Sequence, residues 1–145
     1  MCGRILAVCK SPLKGTQKVD VGEALLVEGM GLEGDAHFGF GHRQVSLLNE
    51  EEIAKTRERV PSLKAGDFAE NLIVEGFDLS LLKVGDSFKV GPSVLEVTQI
   101  GKECHSACAI RELAGDCIMP RLGVFCKVVR GGVVKKGDAA GGIGL

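Results

Sequence analysis

Short apolar runs, each ended by glycine or by polar residues, recur from one end of the chain to the other. The runs have the length of β-strands, and the longest of them contains β-branched residues in partial alternation with polar ones. They predict strands at 5–8, 24–27, 44–48, 71–74, 87–90, 94–100 and 125–129.

The clearest helical pattern covers residues 50–59. Asn49 stands where an N-cap would lie, and Glu52 occupies the third position of a capping box. Glu51 and Lys55 have the i,i+4 spacing of an ion pair on one helix face. We therefore expect a short helix here, lying as a cover on a β-structure.

Gly-Asp pairs punctuate the chain and are natural tight turns, because glycine adopts positive φ cheaply and aspartate can bond its own downstream backbone. They predict strand connections at 34–35, 66–67, 85–86, 115–116 and 137–138. The small, glycine-rich end at 139–145 is expected to be a loose tail.

Many short strands, with only one further helical stretch at 108–113 and no βαβ spacing, favour a mainly β fold. We expect a closed or nearly closed β-barrel with one or two short covering helices, since closure removes exposed strand edges. A length of 145 residues that are 45% hydrophobic fits a single domain over 1–145.

Charge and aromatic content exclude whole classes of partner. The net charge is -1, and there is no Trp or Tyr, so both the positive field and the stacking platforms of nucleic-acid-binding proteins are missing. No apolar run is long enough to span a membrane, and the N-terminus is too quickly polar for a signal peptide. We expect a cytoplasmic protein with reduced cysteines that binds neither nucleic acid nor membrane.

A glycine-rich loop holds two of the three histidines. His37 and His42 lie there together with Arg43 and Gln44. Backbone N–H groups of such a loop can approach an anion, while Arg43 supplies a charged fork and the imidazoles add donors. The alternative is a flexible hairpin loop with solvated histidines.

A second candidate site follows the long strand, where Cys104, His105 and Cys108 lie within five residues. A thiolate near a helix N-terminus, with Lys102 beside it, would have a lowered pKa and a raised affinity for soft metals. Three chemistries remain open. They are a structural zinc site that includes Cys117, a redox pair, and a single metal-ligating or sulfur-carrying cysteine.

Other polar positions suggest ligand contacts. Glu70 and Asn71, at the mouth of a strand, can bind the hydrogen-bonding edge of a pterin or purine, and Arg121 can clamp a phosphate. A polar strand entrance and a surface arginine are the plain alternatives. Cys9 and Cys126 are expected to be buried small hydrophobic residues.

Seven segments, taken in their order along the chain, resemble the MOSC family, which is named for the C-terminal domain of molybdenum cofactor sulfurase. The resemblance is strongest to the short stand-alone bacterial members of that family. The resemblance implies a barrel related to that of pyruvate kinase and a molybdopterin pocket whose metal or sulfur meets a cysteine, here Cys104 or Cys108. Larger members transfer sulfur to the cofactor or reduce N-hydroxylated compounds. The matching segments are 31–37, 43–48, 66–72, 82–86, 100–105, 108–110 and 119–125.

The chain departs from those members at two points. Their Cys-x-x-Cys region is replaced by the run from Cys104 to Cys108, so the metal-ligating thiol is ambiguous. We also expect neither the N-terminal pyridoxal-phosphate desulfurase domain of the sulfurases nor the flanking domain of the members that reduce amidoximes. We therefore expect no pyridoxal phosphate here, and a sulfur donor or another molybdenum cofactor biosynthesis protein as partner.

These observations give one leading hypothesis and two alternatives. The 34–43 loop and Arg121 would hold the phosphate side of molybdenum cofactor, Glu70 and Asn71 would read the pterin, and Cys104 or Cys108 would face the metal. The protein would then be a sulfur transferase or a molybdenum-dependent oxidoreductase. The alternatives are a noncatalytic cofactor carrier or adaptor, and a barrel with a structural zinc clip.

Overall fold

The computed structural model describes residues 2–13, 17–39, 41–101, 118 and 122–142. Within them the backbone forms strands and two short helical segments, one of them a 3-10 turn at Leu79–Leu81. The elements are β1 (Cys2–Lys10), β2 (Val19–Asp20), β3 (Glu23–Val27), β4 (Gly31–Leu32), β5 (Val45–Asn49), α1 (Glu50–Arg57), β6 (Leu72–Glu75), β7 (Ser87–Val90), β8 (Ser93–Ile100), β9 (Val124–Arg130), β10 (Gly132–Lys135) and β11 (Ala139–Gly141).

Seven of these strands form a closed barrel in the order β11-β7-β8-β9-β5-β6-β1. Pairing of β1 with β11, in the register Cys2 to Gly141, closes the ring. β2 continues the sheet beyond β1, while β10, β3 and β4 form a separate small sheet. The mainly β barrel expected from the sequence is confirmed.

The expectation that no βαβ unit exists is wrong. β5 and β6 pair in parallel, with Leu47 opposite Leu72, and α1 lies in the connection between them. Both strands and the helix between them were predicted at these positions, but their parallel pairing was not, because it depends on contacts between distant segments that no local pattern shows.

Asn49 occupies the N-cap position of α1, but its side chain does not cap the helix. Its Nδ2 instead donates to the carbonyl oxygens of Val74 (3.1 Å) and Phe77 (2.8 Å), and its Oδ1 accepts from the N–H of Leu79 (2.9 Å). The expected capping interaction is replaced because the segment after β6 presents partners that the sequence alone could not place.

The charge pair on α1 also differs by one position from the expected one. Lys55 lies 3.1 Å from Glu52, an i,i+3 pair, whereas Glu51 accepts from the backbone N–H of Gly76 (3.0 Å). The first turn of α1 is therefore tied to the end of β6 through Glu51.

The chain end is not wholly loose, contrary to expectation. Ala139–Gly141 form β11, which pairs with both β1 and β7 and brings Ala140 opposite Val90. Ladder hydrogen bonds need only backbone groups, so small residues serve as well as large ones, and Ala140 is buried. The glycine-rich composition concealed a strand that the barrel needs for closure.

Adjacent residues of several wall strands belong to two different apolar layers. Leu47 packs into the barrel interior and Leu48 into an outer layer, as period-two alternation requires. The outer layer, between the wall and the segments that cover it, consists of Ala7, Cys9, Leu48, Ile53, Leu63, Phe68, Ile73, Ile118 and Phe125. None of the helical segments in the described part of the chain has the length and apolar character needed to span a bilayer.

Ala69 is the one described residue other than glycine with positive φ, at 64°. This left-handed conformation is costly for a residue with a Cβ. Ala69→Gly is therefore expected to stabilise the protein by about 0.5–1 kcal/mol in urea unfolding. Ala36→Gly, at a turn residue without positive φ, is the control and should destabilise it. Equal destabilisation by both variants would contradict the assigned strain.

Candidate functional site

Asp35 is the centre of a buried polar cluster. Its Oδ1 lies 2.7 Å from Nζ of Lys18 and accepts from the N–H of Ser11 (3.1 Å). Its Oδ2 accepts from the N–H of His37 (3.1 Å) and lies 3.4 Å from Nδ1 of that ring. The side chains of Lys18 and Asp35 are only 1% and 0% exposed.

The charge state of Asp35 follows from these contacts. Burial alone would raise its pKa, but hydrogen bonds from His37 and Lys18, together with the charge of Lys18, outweigh burial and hold the pKa well below its ordinary value. Asp35 is therefore a carboxylate that carries its own counter-ion.

The loop 66–70 lies against the same lysine through its backbone. Lys18 N–H donates to the carbonyl of Gly66 (2.7 Å), and a Cβ at Gly66 would lie 2.0 Å from the Lys18 carbonyl oxygen. Only glycine fits at such a distance and at its φ of 92°. The Gly66-Asp67 turn thus joins two segments that are distant in sequence.

Glu70 closes this loop on itself. Its carboxylate accepts from the N–H groups of Gly66 and Phe68, both at 3.0 Å, and it is buried. Burial raises its pKa from 4.5 to about 7, although the backbone hydrogen bonds act in the opposite direction. Glu70 is therefore a carboxyl group that titrates near neutral pH.

Asn71 is fully buried beside β5 and β1. Its Oδ1 accepts from the N–H of Ser46 (2.9 Å), and its Nδ2 donates to the carbonyl of Cys9 (3.0 Å). Glu70 and Asn71 lie at the entrance of β6, as expected, but their hydrogen bonds run within the chain. The reading of a pterin by these two residues stays a prediction.

The 34–43 loop, called here the histidine loop, contacts the end of β8 through His42. Nε2 of His42 lies 2.9 Å from Oε1 of Gln99, and Thr98 Oγ1 donates to the carbonyl of His42. Gln99 Nε2 in turn donates to the carbonyl of Gly101 (2.7 Å). Gly101 directly precedes residues 102–117, which we call the cysteine segment. The fold therefore brings the histidine loop to the point where the segment 102–117 begins.

Gln44 contributes to the barrel wall. Its Nε2 donates to the carbonyl of Gly29 (2.9 Å), and its Oε1 accepts from the N–H of Val128 (3.1 Å). The half-buried Arg43 precedes it. A cofactor contact from Gln44 stays a prediction, because its amide is engaged at both ends.

The expected working residues Cys104, His105 and Cys108, and also Arg121, lie outside the described residues. The flanks of these segments are described. Gly101 N–H donates to the carbonyl of Gly123 (2.7 Å).

Of the three described cysteines, two are buried and one is exposed. Cys9 and Cys126 are buried, as expected, and burial raises the pKa of both thiols; for Cys9, the charge of Glu70 adds to the effect. Cys2 is exposed in β1. The part of the chain that the structure describes holds no group of three or more His, Cys, Asp or Glu side chains suited to a metal.

Lys18 and Asp35 were not identified from the sequence. Asp35 was assigned only to a turn, although its place two residues before His37 permits both contacts that it makes with that histidine. Lys18 had no local signal, because its partner is 17 positions away.

Two clefts of about 300 Å³ each are present in the described part. One, beside α1, is lined by Asn49, Glu51 and Asp78 among others, away from the polar cluster. The other is lined by Lys18, Asp20 and Lys64 among others, and so borders the cluster.

Comparisons with known proteins agree with this architecture. YuaD from Bacillus subtilis has a TM-score of 0.78 and 20% identity, covering 97% of this chain and 94% of that one. YiiM from Escherichia coli has a TM-score of 0.68 and 21% identity, covering 97% and 69%. YiiM from Geobacillus stearothermophilus has a TM-score of 0.65 and 18% identity, covering 96% and 72%. At these identities the likeness shows the fold alone.

No curated protein matches the chain in sequence. The family model of the MOSC domain, however, matches residues 33–140, which include the histidine loop, the 66–70 loop and the cysteine segment. The chain belongs to the MOSC domain family, which is associated with molybdenum cofactor binding.

Proposed function

We propose that this protein binds molybdenum cofactor and uses a cysteine between residues 104 and 108 for sulfur carriage or transfer, or for molybdenum-dependent reduction of N-hydroxylated compounds. The observation that carries the proposal is the contact of His42 with Gln99, which joins the histidine loop to the start of the cysteine segment. The family match supports it.

The described residues fit a phosphate-bearing ligand. His37, His42 and Arg43 lie on one loop, and Lys10 crosses the turn at Gly34, where an added Cβ would lie 2.9 Å from its Nζ. The buried carboxylate of this loop, Asp35, is already paired with Lys18, so it does not repel an anion. Lys10, His42 and Arg43 thus lie on or beside a loop whose buried carboxylate is already compensated by Lys18.

When bound, the cofactor would supply a redox-active molybdenum with an exchangeable sulfur. In the proposal the loop and Arg121 hold its phosphate side, and Cys104 or Cys108 provides the soft thiolate ligand. Glu70 closes the 66–70 loop through its hydrogen bonds, and Asn71 bonds to residues of β5 and β1. Both residues are buried, so their direct contact with a pterin would require the surrounding chain to open.

The test is to express the chain with cofactor available and to measure bound molybdenum, together with the pterin released on oxidation. Wild type is expected to retain both in about equal amounts. Cys104→Ser or Cys108→Ser should lose most of the metal, whereas the exposed Cys2→Ser control should not. A wild-type protein without molybdenum or pterin would refute the proposal.

Measuring turnover distinguishes an enzyme that uses the cofactor from a carrier that only binds it. A loaded protein that reduces an N-hydroxylated compound with an external electron donor would act as an enzyme. Binding without turnover, and transfer of the bound cofactor to another cofactor biosynthesis protein in the cytoplasm, would favour the carrier role. Stoichiometric zinc in place of molybdenum would favour the structural clip.

A further inference from the structure

The contacts of Asp35 join three separate parts of the chain. Each carboxylate oxygen has two partners, which are Lys18 and Ser11 for Oδ1, and the backbone and ring of His37 for Oδ2. Ser11 follows β1, Lys18 precedes β2, and His37 lies on the histidine loop. The carboxylate therefore fixes the histidine loop against the barrel wall.

A buried ion pair is a poor way to gain stability, because the desolvation of two charges offsets most of their attraction. An apolar pair of similar volume would serve as well for packing. What Lys18 and Asp35 provide, and an apolar pair does not, is a charged acceptor with fixed directions. Among its contacts with described residues, the one with the imidazole reaches a partly exposed group, since the His37 side chain is 24% exposed.

We propose that Asp35 and Lys18 are positioning residues that hold His37 in one tautomer, with the proton on Nδ1 and the lone pair on Nε2. A carboxylate beside one ring nitrogen fixes the tautomer of histidines that bind metals or transfer protons, and the same chemistry applies here. The inference rests on the proposed function only in assigning His37 to the cofactor site.

The tautomer determines what His37 offers to a ligand. A neutral ring with its lone pair on Nε2 accepts a hydrogen bond, so its ligand contact is a donor such as an N–H of a heterocycle. This differs from the sequence-based expectation, in which both imidazoles donate to an anion.

The test is a long-range proton–nitrogen correlation spectrum of cofactor-free, nitrogen-15-labelled protein at mildly alkaline pH. The chain has three histidines, so His37→Gln identifies the signals of His37 by their loss. The expected result is a single pattern with the proton on Nδ1. A pattern with the proton on Nε2, or the mixture of tautomers of a solvated ring, would overturn the proposal.

A double variant tests whether the Lys18–Asp35 pair causes the fixed tautomer of His37. In Lys18→Met/Asp35→Asn no lone charge is left buried, and a neutral amide accepts more weakly than a carboxylate. The Nδ1 pattern should be lost while the backbone spectrum stays folded. Lys136→Met, which breaks the partly exposed pair of Lys136 with Asp20, is the control and should leave the pattern unchanged. Persistence of the Nδ1 pattern in the double variant would contradict the role of the pair.

Because this spectrum contains no cofactor, its outcome is independent of the molybdenum measurement. A fixed tautomer in a protein that fails to bind molybdenum would leave the positioning role intact and remove the proposed function. Bound molybdenum in a protein whose His37 shows a mixture of tautomers would support the proposed function and remove the positioning role.

Discussion

Replacement of Lys18 by Met is expected to lower the free energy of unfolding by about 3–5 kcal/mol, because it leaves the carboxylate of Asp35 buried without its cation. The side chain of Met has nearly the same length and no charge, so loss of packing is small. Urea unfolding at neutral pH, followed by circular dichroism, measures the difference.

The double variant Lys18→Met/Asp35→Asn should recover part of this loss, because no charge is then left buried. Recovery is incomplete because the amide keeps only one oxygen, so either the N–H of Ser11 or that of His37 loses its acceptor. Lys136→Met, at the partly exposed ion pair with Asp20, should change stability far less. A single variant as stable as wild type would show that Lys18 and Asp35 are not buried as a charged pair.

Glu70 is expected to make stability fall as pH rises through the neutral range. Its folded pKa is about 7 and its reference value is 4.5. Between these values the folded chain keeps a proton that the unfolded chain has released, so the unfolded state binds fewer protons. The stabilising contribution is fully present below about pH 4.5 and is lost as pH rises through about 7. The expected change is up to about 3 kcal/mol.

Unfolding in urea across this pH range, for wild type and Glu70→Gln, isolates the effect. The difference in free energy between the two proteins should fall from acidic to mildly alkaline pH and then level off. Glu28→Gln, at an exposed position, is the control and should run parallel to wild type. A constant difference between wild type and Glu70→Gln would show that Glu70 does not hold a proton in the folded chain.

Asp35 acts in a different pH window, which keeps the two groups separable. Its folded pKa lies below the reference value of 3.8, so its contribution is present above that pH and is lost as pH falls through the folded pKa. Glu70 titrates near neutrality instead. The opposite shifts arise because Lys18 compensates the burial of Asp35, whereas the backbone N–H groups that bind Glu70 do not outweigh its burial and the negative charge of Asp67.

The site was only partly predictable. The histidine loop was identified from its composition, and the structure describes its contact with the end of β8 through His42. Gln44 and Asn71 were assigned to ligand binding by residue type. In the structure their amides bond to partners up to 84 and 62 positions away, Val128 and Cys9. No local pattern shows that a polar side chain is already satisfied.

The sequence by itself determined the positions of seven strands, β1, β3 and β5 to β9, together with the short helix after Asn49 and the family resemblance, since these depend on periodicity and on residues close together in the chain. The tertiary structure alone decided closure of the barrel by Ala139–Gly141, the parallel pairing of β5 with β6, and the burial of Lys18 against Asp35. Each of these depends on which distant segments meet, and burial changes the energy of a charge or an amide far more than its neighbours in sequence do.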